Sequence, residues 1–452
     1  MSVLPSVLNP ESYDDSLSVE VETIIQDANS FSFTQDGSSV ARFELPKKAV
    51  LDKNCDLVFN VTTTVPAAQP SYATLPKLGG GLVLIKRASF SVGGKELQSV
   101  ENCGQYIYLK EYSFQPFEFR RGVSDVRLNC DSSYSIDQDG FCAFNDEKEY
   151  RKGISSVGGA EILVPLSDIF PMLQDVELPT GMLNKHLLIE IQFETIWDNI
   201  FQANGTWTAA EKKFTISRPR LLLDYTHYPP QIVENFNQLV QTSGIAIPYR
   251  DMVLVKKNHL PTATTTSHDI GMAKELVSKI FIQKIDATAA EPAVITQRKI
   301  MQKSLRSDLR EGESYNLQVN NRQLYPLDIS NSAEKYTYLS QAQPRPFRCF
   351  PGWYERNGVD AIAGNNEWSE KAEVTGIEFD QVRQLQGSQA FLGVNLGRFR
   401  PQDDSPQNAT AVSETPIQVT YNTNAGQGCL LHYYIEKMRS ALVIGGEIVV
   451  RS

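Results

Sequence analysis

The feature that most constrains this chain is an internal duplication at about half its length of 452 residues. Phe90-Ser91-Val92-Gly93-Gly94-Lys95-Glu96-Leu97 returns as Leu317-Gln318-Val319-Asn320-Asn321-Arg322-Gln323-Leu324, an offset of 227 from Val92 to Val319. Tyr106-Ile107-Tyr108-Leu109 is answered by Tyr336-Thr337-Tyr338-Leu339 at offset 230, and Ile189-Glu190-Ile191-Gln192-Phe193-Glu194-Thr195 by Ile417-Gln418-Val419-Thr420-Tyr421-Asn422-Thr423 at offset 228. Three echoes in one order at nearly constant spacing mean that one domain has been duplicated, so the fold must be one that occurs twice.

The echoes say what the unit is made of. Gly93-Gly94 and Asn320-Asn321 each sit between stretches of apolar/polar alternation, the chemistry of a hairpin turn that needs positive φ at both central residues. A third such turn is expected at Gly445-Gly446, inside Ala441–Val450. Leu187, Ile189, Ile191 and Phe193 alternate with polar or outward positions, the period of a half-buried strand. Further strands are expected at Ala41–Pro46, Asp56–Val65, Leu82–Val92, Glu161–Ser167, Phe214–Tyr225, Asp251–Lys256, Glu275–Ile285, Ser314–Val319, Ala390–Leu396 and Cys429–Glu436, and short helices at Glu101–Phe114 and Asn331–Gln341. Many short strands with few helices define an all-β class of sandwiches or barrels. One amphipathic helix stands between the copies: Pro229-Pro230 opens it, Ile232, Val233, Phe236, Leu239 and Val240 form its apolar side, and Gly244 stops it.

Composition removes other classes. With 41% hydrophobic residues the chain has material for two cores of roughly 200 residues each. No stretch approaches a membrane span, and no secretory signal is read at the N-terminus, which makes the cytosol the expected place of synthesis. Cys55, Cys103, Cys130, Cys142, Cys349 and Cys429 are scattered without a CxxC pair, the pattern of reduced thiols rather than a zinc site or disulfide scaffold. Residues 1–41 hold seven acids and no Lys or Arg, so this start cannot neutralise phosphates. Through residue 30 it reads as an extended arm that orders against a partner, or as a frayed terminus.

The search for chemistry returns little. His186, His227, His259, His268 and His432 show no metal-ligand spacing, and Gly426-Gln427-Gly428-Cys429 with His432 falls where a turn enters a strand. Asp137-Gln138-Asp139-Gly140 with Asp146 resembles half a calcium loop but has Ser135 in the place of the first acid. Gly79-Gly80-Gly81 lacks the Lys-Ser/Thr of a phosphate cradle and reads as a flexible lead into a strand. The basic run Arg298 to Arg310 has no interleaved aromatics for base stacking. Asn60, Asn204 and Asn408 begin N-x-Thr sequons that a chain without a secretory signal leaves unmodified. No catalytic residue, cofactor or metal site is assigned.

The repeating segments also carry a resemblance. An apolar strand into Val92-Gly93-Gly94, a Tyr-rich helix, Leu163-Val164-Pro165-Leu166 with Ile169-Phe170, then Leu178-Pro179 leading to Leu187–Phe193, resembles the first half of the double jelly-roll major capsid proteins of large eukaryotic DNA viruses, virophages, polinton-like viruses, adenoviruses and some tailless phages. Gly393-Val394-Asn395-Leu396-Gly397-Arg398-Phe399 stands in the matching place of the second half. Gln98–Gln105 departs from the large-virus pattern after the hairpin, which places the chain nearer the virophage or polinton-like members. The resemblance implies two tandem eight-stranded jelly rolls, with an arm at 1–30, a first jelly roll at 31–228, a linker helix at 229–243 and a second jelly roll at 244–452. It implies exterior towers from Gln115–Gly159 and Ala342–Ala372, and a homotrimer that meets neighbouring capsomers, minor capsid proteins and penton proteins in a virion. No direct sequence-specific nucleic-acid binding and no transmembrane segment are expected. The competing reading from the residues is a two-domain β-sandwich that binds or acts on carbohydrate.

Overall fold

The computed structural model describes residues 19–64, 73–75, 80–107, 125–128, 159–203, 207–260, 262–286, 314–330, 334, 337–338, 341–342, 392–397, 408–422 and 429–451. Eight main strands build the first lobe: β1 (Glu20–Asp27), β2 (Val40–Leu45), β3 (Asp56–Thr63), β4 (Ile85–Val92), β5 (Lys95–Glu101), β6 (Ala160–Pro165), β7 (Leu187–Phe193) and β8 (Phe214–His227). Eight more build the second: β9 (Ile245–His259), β10 (Thr265–Gly271), β11 (Leu276–Asp286), β12 (Ser314–Val319), β13 (Arg322–Gln323), β14 (Leu392–Asn395), β15 (Ile417–Asn422) and β16 (Cys429–Ile444).

In the first lobe one sheet runs β1-β8-β3-β6 and the other β2-β7-β4-β5; in the second they run β9-β16-β11-β14 and β10-β15-β12-β13. Adding eight to every strand of the first lobe yields the second. Consecutive strands cross between two antiparallel sheets except at the β4-β5 and β12-β13 hairpins, which is the jelly-roll wiring, and it occurs twice. Short strands extend the larger sheets: Ser32–Thr34 and Val50–Leu51 pair with β8, Thr410–Ala411 with β11, and Glu447–Arg451 with β16.

Local chemistry explains the repeated parts. Leu187, Ile189, Ile191 and Phe193 of β7 are buried and their neighbours less so; Ile417, Val419 and Tyr421 do the same in β15. Gly93 and Gly94 carry φ of 53° and 83°, Asn320 and Asn321 54° and 60°, and Gly445 and Gly446 58° and 76°. Asparagine is among the few side chains that tolerate this region, so Gly-Gly and Asn-Asn close equivalent hairpins.

Several expectations are corrected. The arm does not extend to residue 30, because Glu20–Asp27 pairs residue for residue with Arg220–His227 as the edge of the first sheet. The first lobe therefore begins by Glu20 rather than at residue 31. Strand Leu82–Val92 starts only at Ile85: Gly80–Leu84 forms a buried 3-10 turn, and a Cβ on Gly81 would lie 2.6 Å from Ile162. This segment is packed rather than flexible. β10 falls in a stretch not expected to be a strand, Asp251–Lys256 is the middle of a strand 15 residues long, and Cys429–Glu436 is the first half of one 16 residues long. Cys103–Ile107 forms one short helix of the expected 101–114. The expected towers lie almost wholly outside the described residues, as do the calcium-like loop, the basic run 298–310 and most of the 331–341 helix.

The helix Pro230–Thr242 joins the lobes, and Gly244, with φ of 75°, ends it by donating its N–H to Leu239 O at 2.8 Å. Its apolar side is only partly used: Val240 is buried, whereas Ile232, Phe236 and Leu239 remain exposed.

Candidate functional site

The joint between the lobes is built from the two longest strands of the second lobe, β9 and β16. β9 and β16 are longer than the second core needs. Ile247, Tyr249, Ala441 and Val443, where the strands overrun it, and Met252, Tyr434 and Phe281, on the face turned away from it, join the hydrophobic core of the first lobe, along with Ile448. The second lobe's own core, around Ile280, Leu317, Val419 and Ile435, is separate. One sheet of the second lobe thus seals the open edge of the first sandwich at β5.

Polar groups fix this seam. The Asp175 carboxylate accepts from Arg250 Nη2 at 2.5 Å, Nε at 2.9 Å and the Arg250 backbone N–H at 3.1 Å, and the two side chains are 5% and 6% exposed. Gln98 Nε2 donates to Arg250 O at 3.0 Å and to Asp251 Oδ1 at 3.3 Å, while its Oε1 accepts the Met172 N–H at 3.2 Å. Tyr106 stacks on Tyr434 with centroids 5.5 Å apart and donates to Glu436 Oε1 at 2.7 Å; Tyr249 donates to Leu97 O at 2.9 Å. Burial pushes the Asp251 carboxyl up, and Arg439, 3.2 Å away, opposes that shift. At the far end of the seam, Asn184 donates its N–H to Gly446 O at 2.7 Å and its Nδ2 to Gly445 O at 2.8 Å. A Cβ on Gly446 would lie 2.7 Å from the Asn184 side chain, so this turn needs glycine for its approach as well as its φ.

The histidines are built into the fabric. His227 Nε2 lies 2.9 Å from Glu22, His268 Nδ1 2.7 Å from the Tyr433 hydroxyl, His259 Nε2 3.0 Å from Ala263 O and His186 Nδ1 3.3 Å from Leu45 O. No group of three metal-ligating side chains is gathered among the described residues. Cys55, Cys103 and Cys429 are buried, and burial pushes the Cys55 thiol up to about 12 and Cys103 further, so neither of these two is a nucleophile. The Asn408 sequon is buried. No described helix is long and apolar enough to cross a membrane.

His432 is the exception in having nothing to bond. It is 2% exposed, stands between Lys256 and Gln283 in the sheet register, and neither ring nitrogen has a hydrogen-bond partner. Burial, with a smaller push from Lys256, lowers its pKa from 6.5 to about 3. The folded chain therefore binds fewer protons here than the unfolded one. The resulting stability is complete above about pH 6.5 and is lost as the pH falls toward 3, amounting to about 2 kcal/mol by pH 5. Urea unfolding at pH 7 and pH 5 is expected to show that loss in the parent and a smaller one in His432→Phe. An equal loss in both would remove His432 as the source.

The geometry defines a class: two jelly rolls of identical wiring fused through a shared seam. The chain has the double jelly-roll fold of viral major capsid proteins. The VP54 protein of PBCV-1, in a structure fitted into a reconstruction of the virophage Sputnik, aligns over 97% of this chain and 98% of its own at a TM-score of 0.59 and 12% identity. The Faustovirus major capsid protein aligns over 97% and 92% at 0.55 and 10%, and a chain of the Sputnik virophage structure over 96% and 88% at 0.53 and 13%. No family model and no curated protein matches the sequence.

Proposed function

We propose that this chain is a structural major capsid protein, three copies of which close into a pseudo-hexameric capsomer that tiles an icosahedral shell. The observation that carries this reading is the seam: in the second lobe the outer face of the larger sheet packs within the chain through Phe281 and Tyr434, whereas among the described residues the same face of the first lobe leaves Val21 and Ile25 exposed. A surface that has its partner in one repeat and lacks it in the other calls for another copy. Two unlike, complementary surfaces make a heterologous contact, and such contacts close into a ring when the rotation between copies is a whole fraction of a turn, here a third. Contacts between capsomers are then weaker and renewable, which lets a shell correct errors. The acidic start argues against genome binding by that segment. In a virion the partners are neighbouring capsomers, minor capsid proteins and penton proteins, and the chain is not an enzyme.

Negative-stain electron microscopy of the purified protein, classified without imposed symmetry, tests this directly. Compact threefold particles with a hexagonal outline are expected. Two-lobed monomers at micromolar concentration would overturn the reading.

A further inference from the structure

We infer that the ring-closing contact seats the Leu324–Leu327 flank of one copy on the outer face of the β1-β8-β3-β6 sheet of the next, around Val21 and Ile25; this rests on the capsomer reading above. The in-chain seam supplies the template. There Leu97 and Val100 of β5 are fully buried, at the edge that β9 and β16 seal. The duplication, at offset 227, carries Leu97 to Leu324 and Val100 to Leu327. Those two leucines are 37% and 78% exposed. The same hairpin edge that is sealed in the first lobe is therefore left apolar and open in the second.

The complementary surface is also open. Val21 and Ile25 of β1 are 63% and 60% exposed. Ile25 lies opposite Leu222, and Val21 opposite Thr226, so these side chains share the face turned away from the first core. Edge strands with outward hydrophobic residues are a standing invitation to association, and soluble chains avoid them unless a partner is due. Charge agrees with the pairing: exposed Arg322 borders the leucine flank, while Asp224, held by the Thr23 hydroxyl at 2.7 Å, lies on the receiving face. Each copy thus offers one flank and one face that cannot meet within the same chain, because the first lobe's edge is already engaged by the second.

Two variants test the pairing, one breaking each surface: Val21→Glu/Ile25→Glu and Leu324→Glu/Leu327→Glu. Because the four side chains are solvent-exposed, near-UV circular dichroism is expected to match the parent, and the milder Val21→Ser/Ile25→Ser and Leu324→Ser/Leu327→Ser serve if it does not. Light scattering after size exclusion is expected to show trimers for the parent and monomers for each variant, with at least a tenfold weakening of association. Mixing the two variants is expected to yield dimers and nothing larger, since the intact flank of one meets the intact face of the other and neither complex can close a ring. Trimers persisting in either variant would overturn the assigned surfaces while leaving the capsomer reading intact. Monomeric variants that stay monomeric when mixed would overturn the pairing of these two surfaces. A monomeric parent would overturn the capsomer reading itself, and this pairing with it.

Discussion

Replacing Arg250 with methionine is expected to destabilise the folded chain by about 3–5 kcal/mol, the usual result of removing one partner from a buried ion pair. The cause is what remains. Asp175, 5% exposed, would keep a carboxylate that now accepts from three Arg250 donors, the backbone N–H, Nε and Nη2, and would lose the two guanidinium donors. Gln98 and Asp251 lie against the same segment, so the damage falls on the seam and not on a solvent-exposed flank. The double variant Asp175→Leu/Arg250→Met is expected to recover much of the loss, because two apolar groups need no compensation beyond the orphaned Arg250 N–H. Urea midpoints for the two single variants and the double variant measure the coupling; single-variant losses within 1 kcal/mol of the parent would show that water reaches the pair.

The second large effect concerns the N-terminus. Deleting residues 1–18 is expected to leave the folded state in place, whereas deleting 1–29 is expected to abolish it. The longer deletion removes all eight residues of β1 and their ladder along β8, and exposes the edge beside Leu221 and Leu223, both fully buried. That loss is of the order of a domain's whole stability, about 5–15 kcal/mol. Circular dichroism and limited proteolysis of the two truncations separate the cases. A folded, protease-resistant 1–29 deletion would mean that β1 is an accessory strand.

The parts legible in the sequence were those in which local chemistry and long-range role coincide. Gly93-Gly94 and Asn320-Asn321 announce their turns because few other residues accept positive φ twice in succession. Leu187–Phe193 and Ile417–Asn422 announce their strands because one face is in a core and the other is not. β1 was hidden because its alternation is inverted: Val21 and Ile25 point away from the core while Glu22 and Gln26 lie on the core side, and its acids read as an arm. β10, Thr-Thr-Ser-His-Asp-Ile-Gly, buries only His268 and Ile270 and shows no hydrophobic period. The seam was the least legible part, since Tyr106 and Glu436 are 330 residues apart and Gln98 and Asp251 153. A signal was nonetheless present. Tyr249-Arg250-Asp251-Met252 and Tyr433-Tyr434-Ile435-Glu436 lack alternation because both faces are covered, as in strands buried between two layers.

The shared core also imposes an order in time. The first lobe's sandwich has all of its own strands once residue 227 has been synthesised, yet Tyr434, Ala441 and Val443, which help close its core, come more than two hundred residues later. A ribosome adding roughly 5–20 residues per second leaves that edge open for roughly ten to forty seconds. During this interval Leu97, Val100 and Tyr106 face solvent or a chaperone. Folding of the first half is thus gated by translation of the second, and chaperone supply becomes a determinant of how much of this protein reaches the folded state.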